Sequence, residues 1–330
     1  LILRIDEGTL TAMMRMAVLG SGSGGNATLV QCGSTTVLVD AGLSAKQLVL
    51  RMQRLGVEPD QLDAILLTHE HSDHARGVDV LLRQREISVY ANALTREALS
   101  YKMKSQIPWR VFHSDQDFEL GELSVRAFRI PHDAAEPVGF VLNGQGTRLG
   151  MVSDVGHVTH LMREQLKGSH AIYVEANYDE NLLELDTKRP WATKQRIASR
   201  HGHLSNDQTA SLLRDVACEK LSTVMLCHLS SDCNCPNIAT RTITRGLQSA
   251  GLAKVQVHCA EQHEPTAWVE FAPEVVSEPE IEAITEPAPE VKSVPEPASP
   301  PQPQPKSSSA PAEEKYITPS LFDAFFVPDE

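Results

Sequence analysis

The sequence predicts an α/β fold: an αββα sandwich of two β-sheets packed face to face with helices outside, followed by a disordered tail. Three observations carry this expectation. Short apolar strands alternate with amphipathic helices from Met16 onward. Strands outnumber helices early in the chain, which a doubly wound parallel sheet would not give. After Phe271 the composition changes sharply.

Residues 1–15 lack clear periodicity and read as a poorly defined N-terminal extension, in which Met13 and Met14, with Met16 beside them, offer alternative translation starts. The domain is then placed at 16–271. It opens with the strands MAVLG, ATLVQ and TTVLVD. A helix follows from Ala45 to Leu55, with Ser44 and Gln47 at capping-box spacing and Gly56 as the stop. AILLT is the next strand, and ISVYA, LSVRAF, VGFVLN, RLGMVSD, AIYVEA, STVMLCH and KVQVH continue the series. Helices are expected from Thr159 to Leu166 and from Ser205 to Cys218.

The tail is placed at 272–330. It holds 12 acids, 3 lysines and 13 of the 20 prolines, with no aromatic residue before Tyr316. Such a segment buries too little apolar surface to offset its chain entropy. It carries −9 of the net charge of −13 and leaves −4 for residues 1–271, so the body is not the footprint of a tight nonspecific duplex binder.

Hydrophobic residues at 41% and charged residues at 22% exclude a disordered chain and a membrane bundle. With no long apolar run and acids near its start, the sequence predicts a cytoplasmic protein with no membrane partner. Six cysteines without CxxC spacing are expected as free thiols, with Cys233 and Cys235 as at most half of a zinc site.

The segment Thr68-His69-Glu70-His71-Ser72-Asp73-His74 leaves the strand AILLT onto a loop. Three imidazoles and a carboxylate so close together suit a two-metal hydrolytic site, with His69 and His71 on one side of the extended chain. Further ligands are sought at strand ends, where His132, Asp154 and His228 each follow an apolar run.

The order Asp40, HxHxDH, His132, Asp154, His228 resembles the sequence motifs of the metallo-β-lactamase superfamily. GSGSGGNA, THEHSDH, EANYD, GHLSN and HLSSDCN, from Gly20 to Asn234, resemble its YycJ/WalJ group of bacterial hydrolases, which are similar to DNA exonucleases. Tyr178 departs from the histidine expected in the EANHD-type segment. The resemblance implies His69, His71 and His132 at one metal, Asp73, His74 and His228 at the other, and Asp154 bridging them. Asp40 would orient ligand loops, or else cap the turn before Gly42. The cofactors would be two divalent ions, zinc or manganese, with iron also compatible.

Other motifs keep two readings. Ser21, Ser23 and Asn26 lie in a glycine-rich loop that either presents N–H groups to a phosphate or makes a tight turn. Ser205 and Asn206 open a helix that either binds a phosphate or is merely capped by Ser205 and Gln208. Ser230 and Asn234 either shape the pocket or bond their own turn. His203 is expected as a phosphate contact or leaving-group acid, and His113, His157, His160, His170, His201, His258 and His263 as bystanders. Arg241 and Arg245 extend a phosphate track or form a solvated helix face.

The resemblance implies a 5′-to-3′ DNA exonuclease, in which Asp73 and Asp154 orient a metal-bridging hydroxide. Alternatives are an RNA-directed nuclease, a small-molecule hydrolase such as a lactonase or thioesterase, and a partner-binding regulator. A β-lactamase fits less well, because those enzymes commonly carry cysteine where Asp154 stands. The closing YITPSLFDAFFVPDE, with Tyr316, Leu321, Phe322, Phe325 and Phe326, is read as a docking peptide that loosely resembles sliding-clamp ligands, or else as a segment that folds back on the enzyme's own surface or is inert.

Overall fold

A computed structural model describes residues 14–271. The predicted tail, the docking peptide and most of the predicted N-terminal extension lie outside the described residues. Among the described residues no helix is long and apolar enough to cross a membrane.

The first sheet contains β1 (Met14–Gly20), β2 (Ala27–Cys32), β3 (Thr35–Val39), β4 (Ala64–Leu66), β5 (Ser88–Asn92) and β6 (Trp109–Phe112). The second contains β7 (Asp117–Leu120), β8 (Leu123–Arg129), β9 (Val138–Gly144), β10 (Thr147–Val152), β11 (Ala171–Glu175), β12 (Thr223–Cys227) and β13 (Gln256–Cys259). The last strand, β14 (Val269–Phe271), returns to β1, pairing Phe271 with Met14.

Both sheets follow one plan. In the first, the pairings from β14 through β3 are antiparallel and those from β3 through β6 are parallel. In the second, β7 through β10 pair antiparallel and β10 through β13 parallel. Parallel neighbours need crossovers, and helices supply most of them. These are α1 (Ala45–Arg54), α2 (Ser72–Ala75), α3 (Val78–Leu81) and α4 (Ala93–Ser100) on the first sheet. On the second they are α5 (His160–Leu166), α6 (Glu180–Leu185), α7 (Trp191–Ile197), α8 (Asn206–Val216) and α9 (Pro236–Ser249).

Alternation along each strand builds the layers. In β1 through β4, Met16, Val18, Val30, Val37, Val39 and Leu66 point between the sheets, where they meet Val125, Phe140, Leu142, Leu149 and Met151. Leu19, Leu29, Leu38 and Ile65 point the other way, against Leu48 and Met52 of α1 and Leu81 of α3. Ile172, Val174 and Leu226 likewise face α5, α8 and α9 through Leu166, Leu213 and Ile243. With both faces covered, each fully buried leucine or phenylalanine contributes about 1.5–3 kcal/mol.

The αββα sandwich predicted from the sequence is therefore the observed fold, with differences in detail. β1 starts at Met14, so the predicted boundary at Met16 falls inside a strand. Ser44 Oγ accepts from Gln47 N at 3.3 Å, but the Gln47 side chain accepts from Arg51 Nε, so the predicted capping box is only half formed. The box at Ser205 and Gln208 is complete. β6 and β7, edge strands with exposed polar positions, and the short helices α4, α6 and α7 carried too little periodicity to be read.

Candidate metal centre

The site lies where the parallel strands of both sheets end, the side of an open α/β sheet where loops diverge and leave room for a ligand. Asp40 follows β3, Thr68 to His74 follow β4, Asp154 follows β10, Glu175 closes β11 and His228 follows β12. Asp40, Asp154 and His228 have φ of 60°, 58° and 51°, the left-handed region that non-glycine residues seldom enter. Three such residues at three strand ends turn their side chains inward at a cost in backbone strain. Gly42 is required for the same packing, since a Cβ there would overlap the carbonyl oxygen of Asp73.

Three groupings have ligand atoms within 4.8 Å of one another: His69, His71 and His132; His69, His74 and Asp154; and Asp154, Glu175, His203 and His228. The expected trio His69, His71 and His132 is brought together. Asp154 is shared by two groupings, beside His74 Nε2 at 3.1 Å and His228 Nδ1 at 3.0 Å. Asp73 joins none of them, but its Oδ2 lies 3.5 Å from His74 Nε2.

Hydrogen bonds behind the cluster fix which nitrogen faces inward. Thr68 Oγ1 lies 2.9 Å from Asp40 Oδ2, to which its hydroxyl donates, and accepts from His69 Nδ1 at 3.0 Å. That leaves His69 Nε2 with a bare lone pair, and this buried atom has no hydrogen-bond partner. His132 Nδ1 donates to the Gly202 carbonyl at 3.3 Å, which likewise leaves Nε2 as the acceptor. His74 Nδ1 lies 2.7 Å from Asp40 Oδ2. Imidazoles tethered on one nitrogen and presented on the other are what a cation requires.

The electrostatics agree. Burial, reinforced by His74, holds the His69 pKa well below the usual imidazole range, so it stays neutral and ligand-competent. Burial also lowers His132. At His74 burial is outweighed by Asp154 and Asp40, which hold it well above that range. A positive charge is thus favoured between these two carboxylates, and a metal ion there fits the donor set. Asp154 is drawn well below the usual carboxylate range, because His228 and His74 outweigh its burial.

Glu175 went unassigned in the sequence, although it ends an otherwise apolar strand. It is fully buried and accepts from Val155 N at 2.6 Å, Leu204 N at 3.0 Å and His203 Nδ1 at 3.1 Å. At His203 burial is outweighed by the charge and hydrogen bond of Glu175, and the pKa is raised to about 9. His203 is thereby presented to a cavity of about 220 Å³ together with His71, Asp73, His132, Asp154 and His228. Asp133 and, from α7, Thr193, Arg196 and Ile197 also line it, and no sequence motif marked them.

The residues expected as substrate contacts lie in different surroundings. Ser23 lines the cavity. Ser21 and Asn26 are buried instead: Ser21 Oγ accepts from His228 N and donates to Asn26, whose amide reaches the Asp73 carbonyl and His74. Ser205 is fully buried and taken up by Gln208 and Glu180. Asn206 and Asn234 exchange two amide bonds in the interior. Ser230 is half-buried and bonds its own turn at Cys233 N. These side chains hold the loops that carry the site. Arg241 and Arg245 are on exposed turns of α9. Among the described residues the seven bystander histidines and all cysteines stay outside the groupings, and the thiols are free as expected.

Comparison with known proteins agrees with this geometry. A family model described as "Beta-lactamase superfamily domain" matches residues 35–229. The exodeoxyribonuclease YycJ of Bacillus anthracis is 32% identical over 264 residues, 77% of this chain and 97% of the relative. The exodeoxyribonuclease WalJ of Streptococcus pneumoniae is 32% identical over 242 residues, 72% of this chain and 90% of the relative. The metallo-β-lactamase-fold protein YhfI of Bacillus subtilis superposes with a TM-score of 0.60 at 15% identity, covering 78% of this chain and 99% of its own. Family match, shared fold and clustered imidazoles and carboxylates together make this chain a hydrolase of the metallo-β-lactamase superfamily.

Proposed function

We propose that the chain is a dinuclear-metal phosphodiesterase that hydrolyses nucleic acid, acting as a 5′-to-3′ exonuclease on DNA. The observation that carries the reading is the convergence of imidazoles and carboxylates from both sheets around the unpartnered His69 Nε2, beside a polar cavity. The direction toward nucleic acid comes from two exodeoxyribonucleases matched over nearly their whole length. Apart from Ile197 the lining is polar, charged or glycine, which disfavours an apolar lactone or thioester substrate.

In this reading His69, His71 and His132 would hold one divalent ion, zinc or manganese, and Asp73, His74 and His228 the other, and Asp154 would serve both. When bound, such ions acidify water, neutralise charge on the phosphoryl oxygens and stabilise the departing oxygen. Asp40 and Thr68 fix the histidine rings from behind. Asp73 and Asp154 accept hydrogen bonds from the attacking water and orient it. His203, held by Glu175, contacts the phosphoryl group or protonates the leaving oxygen, a role that typically supplies 10² to 10⁴ in rate. Ser23 contacts substrate at the cavity mouth.

The test is degradation of end-labelled single- and double-stranded DNA and RNA, with and without chelator, beside a lactone and thioester panel. Chelator-sensitive release of nucleotides from the 5′ end of DNA is expected. Turnover confined to the small-molecule panel would refute the reading. The docking of residues 316–330 to a sliding clamp is a proposal from sequence alone. It is tested by titrating that peptide against purified clamp and against enzyme lacking the tail, where binding only to the enzyme would refute it.

A further inference from the structure

Helix α7 is unusual in this fold because it buries no residue, although the chain around it is well supplied with groups that bind polynucleotides. Trp191, its first residue, is 70% exposed, and Leu185 at the end of the preceding helix is 74% exposed. Residues 188–200 contain five cations, Lys188, Arg189, Lys194, Arg196 and Arg200, and no acid. Lys188 and Arg189 pair with Asp232, and Arg196 pairs with Asp133. Lys194 and Arg200 have no carboxylate partner among the described residues. Lys194 donates only to the Glu184 carbonyl oxygen, and Arg200 meets the His157 ring.

The two sides of α7 serve two spaces. Thr193, Arg196 and Ile197 form one wall of the metal cavity. Trp191, Lys194 and Ala198 form one wall of a groove of about 590 Å³, completed by Tyr178, Leu183 and Glu184. The helix is thus the wall that the cavity and the groove have in common. A single exposed tryptophan needs no explanation by itself. Here it shares a groove with Lys194, which has no carboxylate partner among the described residues, on a helix that also lines the metal cavity.

We infer that the α7 groove holds the single-stranded part of a nucleic-acid substrate beside the metal cavity, with Trp191 stacking on a base and Lys194 meeting a phosphate. This rests on the nucleic-acid reading above and gives it a substrate class, since base faces are open to an indole only where the strand is unpaired. Glu180 and Glu184 also border the groove, so stacking supplies more of the affinity than charge does, and salt weakens binding only moderately.

The test uses the full-length, metal-loaded protein and nuclease-resistant phosphorothioate oligonucleotides of about 2 to about 12 residues, deoxythymidylate in one arm and uridylate in the other. Binding is read by anisotropy and by tryptophan fluorescence. Wild type should bind more tightly as length grows, with quenching of the exposed indole. Trp191→Ala should weaken the longest oligonucleotide about tenfold and lose the length dependence, while Trp191→Phe retains most of the affinity. Tighter binding in one arm than in the other identifies DNA or RNA as the strand. Circular dichroism checks that the variants are folded, as expected for so exposed a side chain. If wild type binds these strands and cleaves their unmodified counterparts, and Trp191→Ala binds them equally well, the groove assignment is overturned and the nuclease reading stands. If wild type binds no oligonucleotide and hydrolyses only a lactone or thioester, the nuclease reading fails and the groove assignment falls with it.

Discussion

Glu175 offers the sharpest test of how the interior supports the cavity. Replacement by alanine removes the carboxylate and leaves the Val155 and Leu204 N–H groups, both on fully buried residues, without their acceptor. Each orphaned donor costs about 1–3 kcal/mol, so Glu175→Ala should lose about 2–6 kcal/mol against a typical total of about 5–15 kcal/mol. Glu175→Gln keeps an oxygen for the two backbone donors, both of which use Oε1, but sets an amide NH2, which cannot accept, against His203 Nδ1, so the charge and the hydrogen bond to that ring are lost together. Its cost should be about 1–2 kcal/mol, while hydrolysis falls about 10- to 100-fold with the metal retained. The two are separated by urea denaturation, metal analysis and single-turnover rates. The sign with pH follows from His203, whose folded pKa of about 9 lies above its ordinary 6.5. In chelated protein the pair should stabilise the fold fully below pH 6.5 and lose that contribution as pH rises through about 9; Glu175→Gln should show a flatter profile. If Glu175→Ala unfolds at the urea midpoint of wild type, the argument is wrong.

Replacing His71 or Asp154 by alanine should abolish hydrolysis with the fold intact, and Asp154→Ala should deplete metal further; full metal content with wild-type turnover in either variant would sink the ligand assignment. Gly42→Ala should cost about 1–3 kcal/mol or more and lower metal content, because the added Cβ displaces the backbone at Asp73. Thermal unfolding with metal analysis checks it. Asp79 accepts from Lys104 N and Ser105 N, both at 2.7 Å, and these bonds hold its pKa below the usual value of 3.8. Asp79→Ala should therefore cost about 1–2 kcal/mol at neutral pH, a contribution present above pH 3.8 that wild type loses as pH falls through the lowered folded pKa. Equal acid-unfolding curves for the two proteins would show that this clasp contributes nothing.

What the sequence determined by itself was whatever is local or periodic. The strict alternation of Met16, Val18, Val30, Val37 and Val39 with residues of the opposite face reads directly as strands covered on both sides. HxHxDH is legible because three imidazoles and a carboxylate crowd one loop. His132, Asp154 and His228 were legible only as polar residues ending apolar runs. Edge strands β6 and β7 and the helix α7 were not, since exposed positions impose no hydrophobic period.

Tertiary structure decided what no spacing encodes. It laid the two sheets on the same antiparallel-then-parallel plan, so that β3 and β4 of one and β10, β11 and β12 of the other end around one cavity. It turned Glu175 from an ordinary strand-end acid into the buried acceptor behind His203. It also brought Asn206 and Asn234, 28 positions apart, into a mutual amide pair in the interior. The physical reason is shared: a polar group's role depends on which donors and acceptors remain within reach once water is excluded, and those partners come from strands and loops distant in sequence.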